Sequence, residues 1–239
     1  MSNDRMLRWL GPLGVGFLVA IVLGFFVLSR DTPGQNAPAA QVVAFYRDHG
    51  TRETAAVWVI GIGLALLTFY ICGLRTALRR ANPEHSWLAT AAFGGGLILV
   101  TGFAVTGITH YAVVQAAHNN RVTLAGDLNF IDGIIPLPVM LGLGVMSLAV
   151  GAAILAGSVL PKWLGVVGVV MAALTLFGPV GFISFLALPV YFTILGFVIA
   201  AKLAPHDHRV AADITGPTDT PATEAHRPRM RHLIPRGHH

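Results

Sequence analysis

The 239-residue chain has the composition of an integral membrane protein. Hydrophobic residues make up 54% of it and charged residues only 11%, and its formal net charge is +5. A soluble domain carries about a quarter charged residues, so this composition excludes an ordinary soluble protein.

Six apolar runs predict the fold class, an all-α polytopic bundle of six transmembrane helices. A helix needs roughly 20 apolar residues to cross the hydrocarbon core of a bilayer. We divide the last long run at Gly178-Pro179-Val180-Gly181, because proline cannot continue a helix. The transmembrane domain, residues 1–203, is expected to have spans at about residues 9–29, 55–78, 87–113, 136–158, 161–177 and 182–203.

Lysine and arginine predict the orientation, because cytoplasmic segments retain these residues. With the N-terminus inside, the inner segments and the C-terminal tail hold 12 of them, and the outer loops hold the other 4, Arg30, Arg47, Arg52 and Arg121. We therefore expect a multi-pass protein of the cytoplasmic (plasma) membrane with both termini inside. Ala37-Pro38-Ala39 has the form of a signal-peptide cleavage site, but the first run is longer than a signal sequence needs, so retention of the first span is favoured.

The largest outer loop, residues 30–54, contains a predicted interfacial helix at residues 39–49. Apolar residues recur there at helical spacing, Gly50 is a natural helix stop, and Thr51 with Glu53 can cap the next helix. We favour a short helix that lies in the headgroup layer and covers the bundle.

Phe45 and Tyr46 on this interfacial helix have two interpretations. In the favoured one, both rings sit among the lipid headgroups. In the other, the helix is a lid over a cavity that opens outward, and these two rings cover it. The lid interpretation requires a site beneath the helix.

Polar residues gather near the outer end of the third span. Thr106 and His110 are four residues apart and share one helix face, while Arg121 and Asp132 follow in the predicted loop before the fourth span. A carboxylate beside His110 would favour the charged form of its imidazole. These four residues are the candidate polar outer site. The favoured interpretation, however, is that these residues solvate a loop end and cap a helix at the hydrated membrane interface. No catalytic residue is assigned.

Small residues spaced by four predict helix-packing faces, because they let helix backbones approach closely in lipid. One row lies on the first span and another on the fourth: Gly16, Ala20 and Gly24, then Ala149, Ala153 and Gly157. Packing within one bundle is favoured. The alternative is a homo-oligomer, or a complex with another membrane protein, formed through the first row.

The C-terminal segment, residues 204–239, changes character and is expected to be a disordered, basic cytoplasmic tail. Its arginines could contact anionic lipid of the inner leaflet, or they could be solvated and reinforce only the orientation. His206-Asp207-His208 and His238-His239 lack a framework that would fix metal geometry, so no metal site is predicted.

The sequence lacks the residues that several kinds of chemistry require. No acidic, basic or histidine residue lies at a depth that must be mid-bilayer, where a proton-coupled carrier normally needs one. The sequence has no zinc motif of histidine and glutamate, no nucleophile elbow, no phosphate-binding glycine-lysine loop and no C-x-x-C. We therefore predict no cofactor and no nucleic-acid partner, and expect the lipid bilayer to be the main partner.

Three short motifs resemble an uncharacterised group of small multi-span bacterial membrane proteins, chiefly actinobacterial, which carry a domain of unknown function. The motifs are Val43-Ala44-Phe45-Tyr46-Arg47-Asp48-His49, Gly73-Leu74-Arg75 and Leu160-Pro161-Lys162-Trp163-Leu164-Gly165. The resemblance covers about residues 41–200. It implies the multi-span topology and adds no catalytic residue.

Three functions are compatible with this sequence. We favour a non-enzymatic scaffold, accessory or lipid-interacting module. The first alternative is a transporter or channel for a neutral or apolar solute, with a water-accessible cavity lined by Thr106, His110 and Tyr70. The second is a membrane enzyme at the outer hairpin, which would use His110, Asp132 and Arg121.

Overall fold

The computed structural model describes residues 3–134, 136–157, 159–175 and 181–203, and all regular structure in them is helical. The predicted tail, residues 204–239, and the predicted break at residues 178–180 lie outside the described residues. The helices are α1 (Asn3–Arg8), α2 (Leu10–Ile21) with a π-helical continuation at Val22–Leu28, α3 (Ala39–Ala81), α4 (Ser86–His118), α5 (Val122–Ile134), α6 (Pro136–Leu155), α7 (Lys162–Thr175) and α8 (Gly181–Leu203).

Five helical segments of the described chain are long and apolar enough to cross a membrane. They are Arg5–Leu28, Ala39–Ala81, Ser86–His118, Val122–Leu155 and Phe185–Leu203, whereas α7 is an apolar helix of only 14 residues. The prediction of an all-α membrane bundle is thus confirmed at this level. All four tryptophans, Trp9, Trp58, Trp87 and Trp163, are exposed on its surface, as expected for side chains that face lipid or headgroups.

Helix α3 runs without interruption for 43 residues, so the predicted helix stop at Gly50 is wrong. Gly50 is buried, and a Cβ atom at this position would collide with the imidazole of His118 on α4. The glycine therefore leaves room for the His118 side chain of α4 instead of ending a helix. Glu53 caps no helix start, because it lies inside α3 with its side chain fully buried.

The predicted loop between the third and fourth spans is also mostly helical. Helix α4 continues to His118, and after a tight turn α5 begins at Val122. Asn120 in this turn has a φ of 56°, a left-handed conformation that asparagine tolerates better than most residues. Arg47 of α3 donates to the Asn120 side-chain oxygen at 3.0 Å and so links α3 to the turn. We call this region the α4–α5 end of the bundle.

Glycines bring α4 and α6 into backbone contact along much of their length. A Cβ atom on Gly102 would lie 2.8 Å from the backbone nitrogen of Val139, and Gly95 and Gly142 approach the facing helix in the same way. Close approach of this kind provides the dispersion contacts that hold helices together in lipid. The glycine-rich third span therefore packs closely against α6.

The predicted row on the first span faces α3 within the same chain. A Cβ on Gly16 would meet the Leu66 side chain at 2.7 Å, and Ala20 lies opposite Gly63. Gly24 packs against Ile60. This agrees with the favoured intramolecular interpretation. A homo-oligomer that used the same row would have to displace α3.

The second row is only partly a packing face. Ala149 and Ala153 are buried in the main core. Gly157 is exposed, lies beyond the end of α6 and has a φ of 117°, and a Cβ there would meet nothing within 4 Å. Its assignment as a packing residue is wrong. Glycine is favoured there because the backbone conformation is one that side chains with a Cβ rarely adopt.

Candidate binding site at the α4–α5 end

A separate hydrophobic cluster fixes three helices at the α4–α5 end. It joins residues of α3, α4 and α5, whereas the main core lies elsewhere in the bundle. Its fully or nearly fully buried members are Val42, Val43, Tyr46, Val113, Val114, Ala116, Ala117 and Ala125. Because this cluster holds the first turns of α3 against α4 and α5, polar side chains beside it are held in fixed relative positions.

His110 connects these three helices through both nitrogens of its ring. Nδ1 lies 2.9 Å from Oδ2 of Asp132 on α5, and Nε2 lies 3.2 Å from Oε2 of Glu53 on α3. Glu53 is fully buried, and the side chains of His110 and Asp132 are 15% and 16% exposed. We call Glu53, His110 and Asp132 the histidine bridge.

The hydrogen-bond geometry of the bridge requires a charged imidazole when both carboxyl groups are ionised. An ionised carboxylate can only accept hydrogen bonds, so each facing ring nitrogen must donate. Both nitrogens donate only in the imidazolium form. The bridge then consists of one cation between two anions, and its two charge-assisted hydrogen bonds are of the stronger class in proteins.

Arg52 supplies a second cation to the buried Glu53. Its Nη2 donates to Oε1 of Glu53 at 3.1 Å and to the backbone oxygen of Arg30 at 3.0 Å. Its guanidinium carbon lies 5.8 Å from the centre of the Phe45 ring, in cation–π range. These contacts tie the segment after α2 to α3, and both oxygens of Glu53 have partners.

Tyr46 is buried in the α3–α4–α5 cluster, so its predicted place among lipid headgroups is wrong. Its ring lies edge-on to the His110 imidazole, with ring centres 5.6 Å apart. Phe45 is half-buried and stacks on His49 at 4.7 Å. This part of α3 therefore packs next to the bridge, as the lid interpretation requires, but it belongs to a long continuous helix.

A cavity of about 290 Å³ lies beside the bridge. The polar residues that line it include Thr106, His110, Asn129 and Asp132, and the apolar ones include Phe25, Ile60 and Phe103. The Asn129 amide donates to the backbone oxygen of Gly34 at 3.0 Å, which links α5 to the segment before α3. Oδ1 of Asp132 is buried and has no hydrogen-bond partner among the described residues.

The structure brings together three of the four residues of the candidate polar site. His110 and Asp132 form a hydrogen bond, and Thr106 lines the same cavity while its hydroxyl donates to the Gly102 backbone oxygen. Arg121 is exposed at the α4–α5 turn and, among the described interactions, takes no part in the bridge. Its predicted membership of a cluster with His110 and Asp132 is wrong.

Two residues of the site, Glu53 and Arg52, were not predicted from the sequence to belong to it. Glu53 was interpreted as a cap because it stands just before an apolar run. Tyr46, Gly50 and Glu53 are spaced by four and three, which places them on one face of a continuous helix. All three are buried in the structure. This spacing is the sequence signal that could have identified the buried carboxylate.

The bridge does not resemble a metal centre. Among the described residues no group of three or more histidine, cysteine, aspartate or glutamate side chains is arranged to hold a metal ion. In the bridge the imidazole lies between the two carboxylates, each of which faces one ring nitrogen. The three side chains therefore do not converge on one point. The described part of the chain thus offers no ligand set for a zinc or other transition-metal site.

Comparison of the chain with known protein families, with curated proteins and with solved structures finds no match. The function must therefore be argued from the geometry of the site.

Proposed function

We propose that the protein is a non-enzymatic, lipid-interacting protein of the cytoplasmic membrane that binds part of a membrane-dwelling molecule in the cavity beside His110. The observation that carries the proposal is the composition of this cavity, whose lining combines polar and charged residues with apolar and aromatic ones. Its volume of about 290 Å³ is close to the lower limit for small-molecule sites, which is about 300 Å³.

The proposed topology has six spans, both termini in the cytoplasm and the α4–α5 end outside. Helix α7, with 14 residues, is about 21 Å long, which is short for a hydrocarbon core of about 30 Å. The distribution of lysine and arginine supports counting it as a span, because a five-span chain would place the basic C-terminal tail outside. A C-terminal fusion to green fluorescent protein should fluoresce, and one to alkaline phosphatase should be inactive. The reverse result would contradict the six-span topology.

The bridge supports a binding role better than catalysis. A general base needs a lone pair within reach of the substrate. Both ring nitrogens of His110 already face carboxylate oxygens, so neither offers a free lone pair. The enzyme hypothesis also relied on Arg121, which lies at the surface.

Transport of a neutral or apolar solute is the second candidate function. The cavity favours it, because Thr106 and His110 line the cavity as that hypothesis expects. Tyr70 counts against it, because this residue is fully buried and its hydroxyl donates to the Phe192 backbone oxygen at 2.8 Å. The expected three-residue lining is therefore incomplete.

Native mass spectrometry of the full-length protein, purified in mild detergent and incubated with a polar lipid extract of the expression host, tests the binding function. We expect the wild type to retain a bound lipid and Thr106→Phe, which fills the cavity, to lose it. Thr76→Phe is the matched control, since Thr76 is also a half-buried threonine that donates to the carbonyl four residues earlier. Absence of bound lipid from the wild type, or equal retention by both variants, would refute the proposal.

A further inference from the structure

A larger apolar groove lies between α3 and α4 and adjoins the His110 cavity. Its volume is about 490 Å³, and its walls include Leu64, Val100 and Phe103. Trp58 and Ile108 on its rim are 70% and 72% exposed, so the groove opens on the surface of the bundle. In a membrane this surface faces lipid chains, which are the natural occupants of an apolar groove.

The groove and the cavity share part of their lining. Val57, Ile60, Phe103 and Gly107 belong to both. Among the described residues, a Cβ atom on Gly107 would meet only Val57, at 3.9 Å, which is an ordinary van der Waals contact. Backbone packing therefore does not require glycine at this position. Gly107 therefore adds no side chain to the boundary that the groove and the cavity share.

One carboxylate that lines the cavity, Asp132, has an oxygen without a hydrogen-bond donor among the described residues. Arg52 and His110 occupy both oxygens of Glu53, and His110 occupies Oδ2 of Asp132. Oδ1 of Asp132 is the remaining carboxylate oxygen of the bridge, and it has no partner among the described residues. A buried acceptor without a donor is costly, so a bound group that donates a hydrogen bond would be favoured there.

We propose that the cavity and the groove together bind a single-chain amphipathic molecule with a hydrogen-bond-donating head, either a hydroxyl or an ammonium group. The head reaches Oδ1 of Asp132, and the hydrocarbon chain passes Gly107 into the groove between α3 and α4. This inference rests on the proposed function and specifies its ligand class. Heads that only accept hydrogen bonds leave Oδ1 unpaired and are disfavoured.

Three probes that each carry one oleyl or oleoyl chain test the head. Monoolein has hydroxyl donors, oleylamine has an ammonium donor, and methyl oleate has a comparable ester and no donor. Native mass spectrometry titration of the wild type should show that at least one donor probe binds about tenfold more tightly than methyl oleate, because one buried charge-assisted hydrogen bond corresponds to about that factor. The preferred donor probe distinguishes hydroxyl from ammonium. Equal binding of all three probes would overturn the inference.

Gly107→Leu tests the path of the chain, with Gly94→Leu as its control. A Cβ on Gly94 of the same helix would meet nothing within 4 Å, and Gly94 lines neither cavity. We expect Gly107→Leu to lose at least about tenfold in affinity for the preferred probe, and Gly94→Leu to bind like the wild type. Thermal unfolding of both variants verifies that they are folded.

The outcomes separate this inference from the proposed function. If host lipid is retained but Gly107→Leu binds the probe as well as Gly94→Leu does, the chain does not use the groove, and only the further inference fails. If neither host lipid nor any probe binds to the wild type, both proposals fail.

Discussion

The imidazole of His110 lies 3.2 Å from a carboxylate oxygen of Glu53, a residue 57 positions away in the sequence whose side chain is fully buried. The same ring reaches Asp132 at 2.9 Å on its other side. Since the two carboxylates come from α3 and α5, one histidine on α4 holds three helices together at the α4–α5 end. The stability of this region therefore depends on charge as well as on apolar packing.

Glu53→Gln should destabilise the folded protein, because it removes the anion that faces both the Arg52 guanidinium and the His110 imidazolium. Removing one partner of a buried ion pair costs about 3 kcal/mol or more. Thermal unfolding in detergent, followed by circular dichroism, should show a lower midpoint than for the wild type. Glu84→Gln, which changes an exposed glutamate, is the control and should leave the midpoint unchanged. Identical midpoints for both variants would show that the bridge contributes nothing to stability.

His110 should carry protons on both ring nitrogens at neutral pH, because each nitrogen faces a carboxylate oxygen. Nitrogen-15 NMR of histidine-labelled protein measures this directly through the chemical shifts of Nδ1 and Nε2. The His110 signals are assigned by their loss in His110→Gln, and His118→Gln is the matched control. Observation of a single protonated ring nitrogen on His110 would contradict the charge assignment.

Gly50→Ala should destabilise the protein through contact with His118. The added methyl group would collide with the His118 imidazole, and because this exposed ring can turn away, the cost should be about 1 kcal/mol, the lower end of the range for overpacking. In the double variant Gly50→Ala/His118→Ala, most of the lost stability should return, since the colliding group is gone. Gly61→Ala, on the same helix with nothing within 4 Å of the new Cβ, should be neutral or stabilising. An equal effect of Gly50→Ala with and without His118 would rule out the collision.

Gly24→Val should lower the unfolding midpoint without changing the mass of the particle. The valine side chain would push against Ile60 of α3, because Gly24 packs there within one chain. Size-exclusion chromatography with light scattering gives the mass, and scanning fluorimetry gives the midpoint. If the variant instead converted an oligomer to a monomer with no change in midpoint, the first row would be an interface between copies.

The polar site shows how local and distant information combine. Thr106 and His110 could be placed on one face from their spacing, and the proximity of Asp132 followed from the chain turning back after α4. The place predicted for Arg121 is wrong because α4 continues to His118, so the turn that carries Arg121 lies about two helical turns beyond His110. The contact of Glu53 with His110 could not be predicted without knowing that α3 continues through Gly50.

The sequence by itself determined that the chain is helical, where most of its apolar helices lie and that it belongs in a membrane. These properties depend on hydrophobicity summed over about 20 neighbouring residues, so they can be read without knowing which helix touches which. Only the tertiary structure decided that Gly50 lies inside a helix and that Glu53 is buried opposite His110. Those facts arise because α3 packs against α4, with the His118 side chain beside Gly50 and the His110 side chain beside Glu53, and a contact between residues far apart in the chain leaves no mark on local composition.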